Sequence, residues 1–233
     1  MPEVVKRFSL LRRRSPMDRE RFLAHYEQVH GPLASAQDGF RQFTFRYVQN
    51  HVLAGRDAAT EPAIDGISVT YQKPRADYRQ GFFQHPDYVN VRADEAYLFD
   101  TAGTVSMLGW ERIVCRRGDG GEKAIFLVRR DGTDVAADGE AAPPAVRRAI
   151  CNRLDAGSAS ALGVGAATAP WRALWEIWFT SPAEREQACR DRGALGALDR
   201  ALADAETAAL AVREIVFFDE RDGAGSSPTG VTA

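Results

Sequence analysis

Four histidines, His25, His30, His51 and His85, all fall in the first 85 residues, and none follows in the rest of a 233-residue chain. Imidazole is the side chain best suited to exchange protons near neutral pH, so this asymmetry points to acid–base chemistry in the first half. His30 stands near the C-terminal end of a predicted helix, where the macrodipole favours imidazolium. Tyr26, one turn earlier, either shares its face or packs in the core. His25 is five residues from His30, about 140° away on a regular α-helix, and reads as a surface residue. Asp65 precedes Gly66 at the start of a strand. It either orients a histidine, serves as base or simply turns the chain.

His51 closes an alternating strand and faces either a cavity or its rim. His85-Pro86-Asp87-Tyr88 breaks a helical region and leaves an exposed histidine, with Tyr88 able to reach a ligand over the mouth of a barrel. Asp94 and Glu95 read as solvated helix residues. The histidines lack HxH or HExxH spacing, and Cys115, Cys151 and Cys189 show no CxxC pair. No metal site or disulfide framework is expected. No Gly-rich nucleotide motif follows a strand.

The elements that would position these groups come in two similar series. Val4–Leu11 reads as a strand. A helix follows, with Ser15 as N-cap, Pro16 at its first position and Asp18 completing a capping box; Gly31-Pro32 stops it near His30. Residues 40–51 alternate, placing Phe43, Phe45, Tyr47, Gln49 and His51 on one strand face. After a loop over 54–63 come a strand at 66–71, carrying Tyr71, a helical region from Pro74 to about Ala96 and a strand at 104–115. The order β-α-β-β-α-β is the ferredoxin-like split unit. Past a turn-rich linker at 116–121 it recurs: strand 123–130, helix 143–154, a weak Gly/Ala-rich strand within 158–167, strand 173–179, helix 182 to about 208 and strand 212–218. Residues 1–116 and 122–220 therefore read as two modules, with a disordered tail at 221–233. Each leaves one sheet face bare. Packing the two faces together yields an α+β barrel with an interior cavity, lined by Phe43, Phe45 and Tyr47 from one half and by Trp175 or Trp178 with Phe179 from the other.

The first half resembles the EthD family of dimeric α+β barrel proteins. The likeness rests on Phe22-Leu23-Ala24-His25-Tyr26-Glu27-Gln28-Val29-His30-Gly31-Pro32-Leu33, on the strand 43–49, on Ile64-Asp65-Gly66-Ile67 and on Asp94-Glu95-Ala96-Tyr97-Leu98-Phe99-Asp100. It covers about residues 4–115, and the second half looks like a degenerate copy standing in for a second subunit. Such families include polyketide dehydratases and cyclases, lactone isomerases and cofactor-free monooxygenases. Related tandem barrels that bind haem carry a proximal histidine in their C-terminal half, which this chain lacks.

These readings imply a cofactor-independent lyase or isomerase acting on a small oxygenated ring or polyketide-like compound. The expected catalytic residues are His30, Asp65, Tyr26 and His51, with Phe43, Phe45, Tyr47, Tyr71, Tyr88 and Trp178 binding substrate. A non-catalytic binding or scaffold protein and a cofactor-free monooxygenase are the alternatives. A net charge of −2 gives no reason to expect nucleic acid or an anionic membrane, and Arg12-Arg13-Arg14 reads as a charged strand edge. With no spanning segment or signal peptide in sight, the expectation is a cytoplasmic monomer or weak oligomer.

Overall fold

The computed structural model describes residues 4–53, 64–74, 82–129, 142–162, 165–202 and 207–222. The expected loop at 54–63, the start of the second helical region at 75–81 and the tail from 223 lie outside them. Among the described residues nine strands form: β1 (Val5–Leu11), β2 (Thr44–Val52), β3 (Gly66–Gln72), β4 (Val105–Arg116), β5 (Glu122–Val128), β6 (Val146–Ala161), β7 (Gly165–Ala166), β8 (Ala173–Phe179) and β9 (Ala208–Asp219). Eight of them close an antiparallel barrel in the order β4-β1-β3-β2-β9-β5-β8-β6, and β6 returns to β4. Closure leaves no open sheet edge along the circuit.

The barrel interior is filled. Phe8, Ile67, Val69 and Met107 meet Ile125, Leu127 and Leu174 from the other half, all fully buried. At the level of Lys6 and Lys123 the core becomes ionic. Glu176 takes Lys6 at 2.7 Å and Lys123 at 2.8 Å; Glu111 adds a second contact to Lys6 and Glu214 one to Lys123. The expected open cavity between two sheet faces is therefore corrected: alternation along the strands supplies enough apolar volume to pack that space.

Helices α1 (Arg19–His25), α2 (Gly31–Ser35), α3 (Asp38–Phe43) and α4 (Tyr88–Leu98) cover the outside of β1–β4. Helix α5 (Pro182–Arg190) and the short turns after it, ending in α6 (Asp199–Leu202), cover part of the second half. Helix α1 starts three residues beyond the expected Pro16: Asp18 is its N-cap, accepting from Arg21 N–H at 2.8 Å. Gly31-Pro32 does not end the helical run. The turn Tyr26–His30 widens to a π-helix closed by Gly31 N–H to Tyr26 O, and α2 continues with Pro32 in its first turn. Pro32 has no N–H to give, so a widened turn there costs little.

Two other expectations change. Residues 143–154, expected as helix, lie mostly in β6, because pairing to both β4 and β8 outweighs the helix preference of Arg147-Arg148-Ala149. The helix expected to run from 182 to about 208 breaks after Arg190, where Asp191 is extended, and the turn that follows kinks again at Gly196, with φ +56°. No helix among the described residues is long and apolar enough to cross a membrane.

Candidate active site

The π-turn decides the geometry. On a regular helix His25 and His30 would diverge, but a turn closed i to i+5 stacks residues five apart. Both histidines thus reach one carboxylate on α4: His25 Nε2 lies 2.6 Å from Asp94 Oδ1, and His30 Nδ1 lies 2.8 Å from Asp94 Oδ2. A carboxylate only accepts, so each imidazole donates to it. His30 accordingly carries its proton on Nδ1 when neutral and keeps Nε2 as a lone-pair nitrogen. Burial works against the charge on Asp94, but the hydrogen bonds from His30 and His25 outweigh it and hold the carboxyl below its ordinary range. His25, expected at the surface, and Asp94, expected in solvent, are both parts of this dyad and its support.

Glu95, the next residue, behaves oppositely. It is 9 % exposed, accepts from Tyr88 Oη–H at 2.7 Å, and burial pushes its carboxyl above the usual range. The surroundings thus shift the two adjacent carboxyls in opposite directions. His30 and Glu95 line a small space of about 60 Å³ between the helices and the outer sheet face. Its floor is small and hydroxylated: Ser68, Ser9 and Ser106 are directly paired across β3, β1 and β4, with Ser9 and Ser106 hydroxyls 2.6 Å apart.

Tyr26 and His51 stand beside this space as supports. The Tyr26 hydroxyl lies 2.6 Å from Ser68 Oγ, and burial raises its pKa well above the ordinary value. Gln49 Nε2 donates to Tyr26 O at 2.8 Å and to Tyr47 Oη at 2.9 Å, so its Oε1 accepts from His51 Nε2 at 2.9 Å. Arg213 meets His51 Nδ1 at 3.3 Å. Burial, then Arg213, pushes the His51 pKa down to about 4. This imidazole is neutral at pH 7 and stacks on the Tyr26 ring at 5.0 Å.

The remaining candidates divide. Tyr47 lines the small cavity, and Tyr88 holds Glu95. Phe43 belongs to α3 rather than a strand, and register shifts in β2 turn Phe45 away from Tyr47. Phe45 instead packs on Tyr71, at the barrel core. Trp178 is also inside the barrel, with Lys123 4.5 Å from its ring. Asp65 sits at the barrel's end, held by Arg13, whose backbone N–H is 2.9 Å away, and by Arg19 at 3.3 Å. It touches no histidine. Asp94 and Glu95 were missed because helix α4 shows little amphipathic pattern, with Asp94 and Glu95 looking like any exposed acidic pair. The available signal was the family likeness, which set Asp94-Glu95 beside the His25–His30 motif, whereas the regular-helix angle that separated the two histidines is cancelled by the π-turn.

Residues 14–102 match the family model of the EthD domain. The EthD-matching segment holds His25, His30, Asp94, Glu95, Tyr26 and Ser68, while Ser9 and Ser106 on the floor and Arg213 beside His51 lie outside it. No curated protein matches the chain. Among solved structures, one described as "putative monooxygenase from Lactobacillus acidophilus NCFM" is similar at 6 % identity, covers 92 % of this chain and 95 % of its own, and has a TM-score of 0.46.

Proposed function

We propose that this protein is a cofactor-independent acid–base enzyme, a lyase or isomerase of the dehydratase or cyclase type, acting on a small oxygenated ring compound. One observation carries the reading. A buried imidazole is fixed through Nδ1 by a low-pKa carboxylate while Nε2 is left for a cavity that also holds a high-pKa carboxyl. In this reading His30 Nε2 takes the proton from carbon next to a carbonyl, and Asp94 stabilises the imidazolium that results. Glu95 gives its proton to the carbonyl or departing hydroxyl oxygen. In a dehydration the C–H electrons form the new double bond, the C–O bond breaks and water leaves. The proton on His30 then returns to Glu95, and no redox change occurs.

The two-module reading supports a single-chain barrel. The strands of the first half run β4-β1-β3-β2 and those of the second β9-β5-β8-β6, which is the same order within each half. Interior positions repeat too: Lys6 pairs with Tyr71 across β1–β3, and Lys123 with Trp178 across β5–β8. Asn50 donates to Ile67 O at 3.1 Å and Asn152 to Leu174 O at 3.0 Å. Residues 1–116 and 122–220 would then be two copies of one unit, and the chain a monomer or weak oligomer, since the face a lone unit would bury by dimerising is already covered.

Deuterium exchange tests the reaction without knowledge of the substrate. Cyclic and aryl β-diketones in D₂O should exchange their carbon-bound protons faster with the protein than in buffer. A rate equal to buffer across the panel, with ligands nonetheless bound, would favour a non-catalytic binding protein instead.

A further inference from the structure

The space beside His30 is about 60 Å³, whereas a cavity that accepts benzene is about 150 Å³. It therefore admits an oxygen and the atoms next to it, not a ring. A second chamber of about 480 Å³ lies alongside, within the range of small-molecule pockets. Arg7, Phe83, Ser106 and Leu162 line both, so the two have a common wall.

Their chemistry differs. The inner space offers His30, Glu95 and the serine hydroxyls, groups that suit neutral oxygens. The outer chamber presents Arg7 and Arg92 with no carboxylate among its described lining residues. Arg7 is buried and lies over the Phe83 ring at 5.7 Å. Arg92 projects from α4, is exposed, and lies close enough to Glu95 to oppose the burial that raises its carboxyl. Two guanidinium groups meet there with no carboxylate among the described lining residues, and their planar forks match a carboxylate. Phe83, Leu162 and Ala159 supply apolar surface for a ring between the two ends.

We propose that the chambers form one elongated site for a planar ring compound, with a carbonyl or hydroxyl at one end and a carboxylate at the other. The oxygen enters the space beside His30, the ring lies against Phe83 and Leu162, and the carboxylate meets Arg92 and Arg7. This rests on the acid–base reading of His30, because it assigns the reacting end to that space.

The test uses 6-hydroxy-2-naphthoate, 2-naphthol and 2-naphthoate with the full chain, reading affinity by calorimetry and the histidine ring nitrogens by ¹⁵N NMR. 6-Hydroxy-2-naphthoate should bind about two- to fivefold more tightly than 2-naphthol, the effect of one partly exposed charge pair. Arg92→Ala should remove that advantage and leave 2-naphthol affinity unchanged. Both hydroxyl probes should move the His30 Nε2 signal, and 2-naphthoate should not. Equal affinity for the two hydroxyl probes, with His30 still responding, would overturn the anionic chamber and leave the His30 reading intact. A carboxylate preference with no His30 response would show that the chambers are not one site and would count against the His30 reading as well. Absence of binding by all three at millimolar concentration overturns the elongated site.

Discussion

The outer faces of the two half-barrels differ most where their registers correspond. Across β3, β1 and β4 one row reads Ser68, Ser9, Ser106; across β8, β5 and β9 the corresponding row reads Trp175, Phe126, Ala209. The next row pairs Arg7 with Thr70 in the first half and Ala124 with Ile177 in the second. The first face is left short of volume and rich in hydroxyls, and a cavity with His30 and Glu95 opens over it. The second is filled to a dry core that also takes in Leu195, Leu198 and Leu202 from the turns following α5. One barrel thus carries a wet face and a dry one, and the same strand pairing supports both.

That contrast can be broken from the dry side first, where the largest effect is expected. Trp175→Ala removes a fully buried indole from the second core and should cost about 3 to 5 kcal/mol, read as a lower denaturation midpoint. Ligand binding below the transition should survive. Loss of binding at a temperature where the variant is folded would show that the two faces are coupled rather than separate.

A smaller effect lies in the wet half, at His51. Its folded pKa of about 4 lies below the ordinary 6.5, so the folded state resists a proton that the unfolded chain accepts. Stability from this residue is fully present above pH 6.5 and falls as the pH drops from 6.5 towards 4. The difference is worth about 3 kcal/mol at most. His51→Gln should flatten the stability curve in that window, and an unchanged acid slope would remove His51 from the list of buried neutral groups.

The sequence made the strands legible because alternation and turns mark them: β8 is found at the expected residues, and β1, β3 and β4 within about a residue or two. It did not make β6 legible, because that strand's state depends on pairing with partners 32 to 56 residues before and 20 to 33 residues after it. The site was legible at His30 and Tyr26, which share a short motif. Its carboxylates were not, since Asp94 and Glu95 come to His30 only through a π-turn and the packing of α4. Asp65 looked like a partner for histidine because the sequence shows its spacing from Gly66 but not the two arginines that claim it.

The central claim is that His30, rather than any other group touching Asp94, transfers the proton. His25 offers a matched control, since both rings bond to the same carboxylate. In the deuterium-exchange assay, His30→Ala should slow exchange by about 10² to 10⁴-fold, while His25→Ala should stay close to the unmodified protein. Both should melt within a few degrees of it, which excludes unfolding as the cause. Equal activity of the two variants, with both folded, would contradict the assignment of His30 as the proton-transfer residue.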